Sequence, residues 1–167
     1  IHNWQASQYS YWSIDEQFHT PFSSVEPEEI DRAVAESVRY RLIADVEIGI
    51  LLSGGIDSSL LSCYAATQSA RAPKAFLVSF DRQDLDESLY AKMVARSLGI
   101  DIVNIDGGCL DENLFRRVVY HADQPLGDPA CVPTFMIAEV FPSHVRGALP
   151  GKGGDDLSGG YPSSKKY

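Results

Sequence analysis

Short apolar runs alternate with amphipathic stretches of helical period along this chain, and that alternation predicts an α/β fold, a doubly wound parallel sheet with helices on both faces. Three observations carry the prediction. Strand-like runs fall at 48–52, 75–80 and 100–105, helix-period segments separate them, and turn residues such as Ser53-Gly54-Gly55 and Ala72-Pro73 mark the joins. In sheets of this kind ligands bind beyond the carboxyl ends of the strands, where the Ser-Gly-Gly turn sits.

Residues 1–24 are rich in aromatic and polar residues without a sustained period, which predicts an extended arm; residues 25–167 form the domain proper. A helix follows the arm. Pro27 suits a first helical turn, Glu28 and Glu29 favour its positive end, and Ile30, Ala33, Val34, Val38 and Leu42 recur at helical spacing. The apolar run 48–52 enters through Gly49 and closes on Ser-Gly-Gly, the pattern of a buried strand feeding a tight turn. The next helix carries Ser58, Leu60, Leu61, Tyr64, Ala65 and Ala66 and breaks at Ala72-Pro73.

After the strand at 75–80, positions Leu89, Met93, Val94 and Leu98 predict an amphipathic helix over 87–98 that stops at Gly99. Ile100, Ile102, Val103 and Ile105 give a third strand. A helix capped by Asp111 turns Leu114, Val118 and Val119 inward, 124–133 reads as a proline-rich loop, and 134–140 as a shorter helix.

Composition narrows the functional classes. With 14 Lys and Arg against 23 Asp and Glu the net charge is −9, which disfavours an electrostatic grip on nucleic acid. It is compatible with a nucleotide held by backbone N–H groups and a divalent cation. No apolar run approaches the roughly 20 residues that span a bilayer, and no signal-like segment opens the chain. Cys63, Cys109 and Cys131 are odd in number and show no CxxC pair, so neither a disulfide framework nor a zinc site is expected, and a reducing cytoplasm fits. His2, His19, His121 and His144 lack paired metal spacing and read as surface or capping residues. Trp4, Tyr9, Tyr11, Trp12 and Phe18 read as a packing or recognition arm. Starting at Ile1 and ending soon after a glycine-rich motif, the chain reads as a segment of something longer, truncated at the C-terminal side.

The chemistry concentrates in Ser53-Gly54-Gly55-Ile56-Asp57-Ser58-Ser59. Adjacent glycines permit backbone conformations and approaches that a Cβ would block, so N–H groups can point at an anion, and the following helix adds its positive end. Ser53, Ser58 and Ser59 can donate to phosphate oxygens. Asp57 would repel a phosphate unless a cation stood between them, which makes it a candidate Mg²⁺ ligand. The loop has no lysine and lacks the P-loop spacing. A cradle for pyrophosphate, with attack on the α-phosphorus of ATP, is the reading these residues favour over a plain glycine turn with an Asp-Ser cap.

With these residues in hand, the chain resembles the synthetase domain of the asparagine synthetase family, of ATP-pyrophosphatase type, from about Tyr11 to Tyr161. Tyr11-Trp12 is similar to the family's opening motif, and 39–52, RYRLIADVEIGILL, to the segment that leads into the phosphate loop, with Glu47 where a proline is usual. Leu85-Asp86-Glu87, Tyr90-Ala91, Val94-Ala95 and Leu98-Gly99 fit the helix after it. Asp123-Gln124-Pro125, Asp128-Pro129 and Pro133-Thr134 resemble the family's Asp-Glu-Pro…Asp-Pro…Pro-Thr loop, with Gln124 in place of the acid. Gly151-Lys152-Gly153-Gly154-Asp155-Asp156-Leu157-Ser158-Gly159-Gly160-Tyr161 resembles the family's Gly-Glu-Gly-Ala-Asp-Glu-Leu-Phe-Gly-Gly-Tyr stretch.

The resemblance implies a fold like that of the adenine nucleotide alpha hydrolases and the cofactors ATP and Mg²⁺. It implies that Leu52 and Val78 offer backbone and apolar contacts to the adenine, that Gly151 lies near the ribose or α-phosphate, and that Asp57 and Asp155 hold Mg²⁺. Read without it, Asp155 and Asp156 have a solvated acidic loop as the lesser alternative, since surface acids are common. The activity implied is adenylation of a carboxylate, aspartate first, with release of pyrophosphate and amide formation with ammonia. The partners implied are a small-molecule carboxylate and a glutaminase domain or subunit supplying ammonia, with a homodimer as the assembly it admits; no nucleic acid or membrane is expected.

Departures from the family pattern matter. Lys152 stands where the family has a glutamate, so the catalytic position there is inverted in charge: a lysine can grip a phosphate but cannot act as a carboxylate base. Pro150 replaces a serine and Ser158 a phenylalanine. No cysteine precedes Cys63 to serve as the glutaminase nucleophile, and the family's helical C-terminal region is missing. Two other readings therefore stand beside the first: a cyclase on the same scaffold, of β-lactam or lasso-peptide type, and a degenerate nucleotide-binding module without turnover.

Overall fold

The computed structural model describes residues 6, 8–13, 26–80, 87–108, 110–124 and 126–154. It divides into two compact units, Ile1–Arg32 and Ala33–Tyr167, each described by itself. Most of the expected arm, and residues 155–167, lie outside the described residues. In the first unit the Ser10 hydroxyl donates to the Trp12 carbonyl at 2.9 Å, and the Glu26 carbonyl accepts from Glu29 N–H at 2.9 Å.

The described elements run in the order α1 (Pro27–Arg41), β1 (Ile48–Leu51), α2 (Ile56–Gln68), β2 (Ala75–Ser79), α3 (Ser88–Leu98), β3 (Ile102–Asp106), α4 (Glu112–Ala122), α5 (Cys131–Val140), a short 3₁₀ turn (Phe141–Ser143) and β4 (Gly147–Leu149). Helix α1 has Glu28 and Glu29 in its first turn and Arg39 and Arg41 in its last, each sign at the end its dipole favours. Helix α4 starts where Asp111 accepts from Leu114 N–H at 2.7 Å, as a helix cap should. Gly99 ends α3 in the left-handed conformation, with its N–H directed at the carbonyls of Ala95 and Arg96.

All four strands are parallel, in the order β3-β2-β1-β4. The period of two along each strand sorts the core onto two faces. Ile48, Ile50 and Leu52 of the first strand region, with Ala75 and Leu77 of β2, meet Val38 of α1, Ala65 and Ala66 of α2, and Ala91 and Ala95 of α3. Leu51, Phe76, Val78, Val103 and Ile105 point the other way, against Ile137 of α5, Phe141 and Val145. Helices thus cover both faces of a parallel sheet, the doubly wound arrangement expected.

Four local expectations are corrected. Leu89 and Met93 of α3 are 65% and 61% exposed; Val94 and Leu98 pack against the core as expected, beside the buried Ala91 and Ala95, whose small side chains let the start of the helix lie close to the glycine loop. Val119 of α4 is also exposed, and Val118 alone of the neighbouring pair is buried. Helix α5 begins at Cys131, inside the expected loop, since Pro133 sits in its first turn where no intrahelical N–H is lost. Strand β4 was not expected. It pairs in register with β1, Ile48 beside Gly147 and Ile50 beside Leu149, and brings the following segment to the carboxyl end of β1. Among the described residues no helix is long and apolar enough to cross a membrane.

Candidate anion site at the carboxyl end of the first strand

Beyond β1 the chain turns sharply into α2. Leu52 N–H still bonds the Phe76 carbonyl at 2.9 Å, but its side chain is 1% exposed among Ala75, Leu77, Ala91 and Ala95. Gly54 takes φ +95°, a region that L side chains rarely adopt. A Cβ there would lie 2.7 Å from Ala91 N and 2.8 Å from Tyr90 Cβ, so the start of α3 is seated directly on this glycine. Gly55 is the N-cap of α2 in extended conformation, and among the described residues no side chain caps the helix. Among the described residues the first N–H groups of α2 therefore have no capping acceptor, at the end where the helix dipole is positive.

The loop is braced by its own hydroxyls. Gly55 N–H donates to Ser53 Oγ at 3.3 Å, Ser53 and Ser58 share a hydroxyl hydrogen bond of 3.0 Å, and Ser58 Oγ donates to the Gly55 carbonyl at 3.2 Å. Ser58 is 7% exposed, and its hydroxyl braces the loop. Ser62, one turn on and fully buried, donates to the Ser58 carbonyl at 2.7 Å and ties the brace to the helix. Ser59 is half-buried, with its N–H committed to the Gly55 carbonyl at 3.0 Å.

The second glycine-rich motif closes on the first. A Cβ at Gly151 would stand 3.4 Å from Ser58 N, and one at Gly154 would overlap the Asp57 carboxylate. Gly151 and Gly154 thus lie against the first turn of α2. Asp57 is half-buried beside that contact, and Asp155, its expected partner, lies outside the described residues. Among the described residues no group of three His, Cys, Asp or Glu is arranged to hold a metal, and Asp57 is the carboxylate that Gly154 adjoins. Mg²⁺ bound to phosphates usually takes one or two carboxylates from the protein.

Lys152 extends from the same segment and forms an exposed ion pair with Asp128, Nζ to Oδ2 3.7 Å. Val78 is half-buried on the sheet face opposite to Leu52, against Phe76 and Ile137. Leu52 and Val78 thus turn their side chains to opposite sides of the sheet, Leu52 toward α3 and Val78 toward α5. Glu47, in the proline position of the resemblance, is tied by Arg71 at 2.6 Å and by Arg146 N–H to its carbonyl at 3.2 Å. A separate cleft of about 250 Å³, lined by Leu42, Gln68, Arg71 and Lys74 among others, sits at the amino ends of the strands and contains none of the expected site residues.

Sequence reading missed Asp128 as the partner of Lys152, Gly154 as the neighbour of Asp57, and strand β4. The signal for β4 was the short apolar pair Ala148-Leu149 between Gly147 and Pro150, too brief for periodicity to detect.

The chain is similar to asparagine synthetase [glutamine-hydrolyzing] 1 of Bacillus subtilis, 39% identical over 80% of this chain and 21% of that protein. It is also similar to amidase chyE of Penicillium rubens, 32% identical over 95% of this chain and 27% of that protein. It spans about a fifth to a quarter of the length of these curated relatives. Among solved structures, the NH3-dependent NAD synthetase of Campylobacter jejuni superposes with a TM-score of 0.48 at 12% identity, covering 72% of this chain and 52% of that one. The sequence profile described as Asparagine synthase matches residues 29–167, taking in both glycine motifs and the strands that bring them together, and the chain belongs to that family.

Proposed function

We propose that this domain binds Mg-ATP with its phosphates on the first turn of α2 and, within its complete protein, adenylates a carboxylate, aspartate first, releasing pyrophosphate for amide formation. The observation that carries the reading is the uncapped start of α2 at the carboxyl end of β1, closed from the other side by Gly151 and Gly154. Backbone N–H groups of Asp57 and Ser58, with the positive helix end, supply an anion site that needs no lysine in the loop. Asp57 would hold Mg²⁺, which supplies charge neutralisation on the departing pyrophosphate. Ser53 and Ser58 keep the loop rigid, so the donors are positioned before the nucleotide arrives.

Calorimetry with ATP and Mg²⁺ tests the binding half of the proposal. Wild type should bind, and Asp57→Ala should bind at least about tenfold more weakly, as loss of a charged ligand to the cation implies. Exchange of labelled pyrophosphate into ATP, dependent on aspartate and measured on the complete protein, tests the chemical half. A second reading, nucleotide binding without turnover, is favoured by Lys152 in its pair with Asp128. Binding without exchange under any carboxylate would select it. Absence of nucleotide binding would overturn both.

A further inference from the structure

Lys152 and Asp128 come from different segments, one following β4 and the other preceding α5, and both side chains are more than half exposed. Asp128 is fixed in place. Its Oδ1 accepts from Ala130 N–H at 2.8 Å and its carbonyl from Cys131 N–H at 3.2 Å, so the turn leaves Oδ2 facing the Lys152 ammonium. Lys152 carries its charge on a flexible four-carbon stem, and Asp128 is its sole ion-pair partner among the described residues. The stem starts one residue, or about 3.8 Å of backbone, beyond Gly151, which itself lies against Ser58 N. The same ammonium therefore has two acceptors within its range, a single carboxylate and whatever anion occupies the start of α2.

These two acceptors are unequal. An exposed ion pair at this separation contributes little. A phosphate group carries more charge and more acceptor oxygens, and its bonds to an ammonium are charge-assisted. We infer that Asp128 is a positioning residue that holds Lys152 in reserve beside the site, and that a bound pyrophosphate moiety takes Lys152 from it. Asp128 thus competes with the phosphate for one cation, and phosphate binding frees the Asp128 turn from the glycine segment. The inference rests on the nucleotide-binding reading and adds the residue that tunes it.

The probe is inorganic pyrophosphate with Mg²⁺, titrated calorimetrically into wild type, Asp128→Asn, Lys152→Gln and the double variant. Asp128→Asn keeps an amide oxygen for Ala130 N–H; Asp128→Ser does the same with a hydroxyl and replaces it if the first variant melts at a lower temperature. Freeing Lys152 from a pair of this exposure should tighten pyrophosphate binding by up to about fivefold. Lys152→Gln should weaken it at least about tenfold. The double variant should match Lys152→Gln, because without the lysine Asp128 has nothing to withhold. Equal or weaker binding by Asp128→Asn, or a gain that survives in the double variant, overturns the inference and leaves nucleotide binding standing. If wild type binds neither pyrophosphate nor Mg-ATP, the nucleotide reading falls and takes the inference with it.

Discussion

Two adjacent glycines in the loop are held for different reasons, and substituting each by alanine separates them. At Gly54 the backbone has φ +95°, and an added Cβ would press into Ala91 N at 2.7 Å and Tyr90 Cβ at 2.8 Å. The conformational cost of a left-handed L residue is about 1–2 kcal/mol. Crowding against backbone, which cannot rotate away, adds about 1–3 kcal/mol. Taking about 3 kcal/mol in all, the melting temperature should fall by about 6–12 °C for a chain of this size. At Gly55, φ is −68° and ψ 166°, which any residue adopts, and the nearest atom to an added Cβ is Ser53 Oγ at 3.5 Å. Gly55→Ala should therefore change stability by less than about 1 kcal/mol, and in the favourable direction if the unfolded chain loses freedom. Thermal unfolding followed by far-ultraviolet circular dichroism reads both. Equal losses at the two positions would refute the claim that α3 is seated on Gly54.

Two further perturbations probe the scaffold. Asp111→Ala removes the acceptor for Leu114 N–H and should cost about 1 kcal/mol, while Asp111→Asn should retain most of it; chemical denaturation of the pair checks this. Phe76→Ala empties a fully buried site whose ring meets Phe141 edge-on at 4.5 Å between centroids, and should cost about 3–5 kcal/mol in urea unfolding, enough to unfold a marginal domain.

The strands at β1, β2 and β3 were legible because buried parallel strands leave short continuous apolar runs, and the helix at α4 because Asp111 announces it. The face of α3 was legible in part. Val94 and Leu98 pack as their spacing predicts, yet Leu89 and Met93 are exposed and the buried centre is Ala91 and Ala95, since contact distance and not hydrophobicity alone decides what fits beneath a helix seated on Gly54. Likewise the hydroxyls of the loop were readable as residue types, but whether they face an anion or each other is a matter of torsion angles. Ser58 turns inward, and its oxygen is used within 3.2 Å by Ser53 and Gly55.

Taken alone, the sequence determined that this is a parallel α/β domain with a Ser-Gly-Gly turn after its first strand, because strand, turn and helix signals are local and each is written within a few residues. The tertiary structure decided what stands opposite that turn. Pairing of β4 with β1 places Gly151 on Ser58, Gly154 on Asp57 and Lys152 beside Asp128. These are contacts between segments far apart in the chain, and no local period encodes them; they follow from backbone hydrogen bonding between two strands whose register fixes where the next residues land.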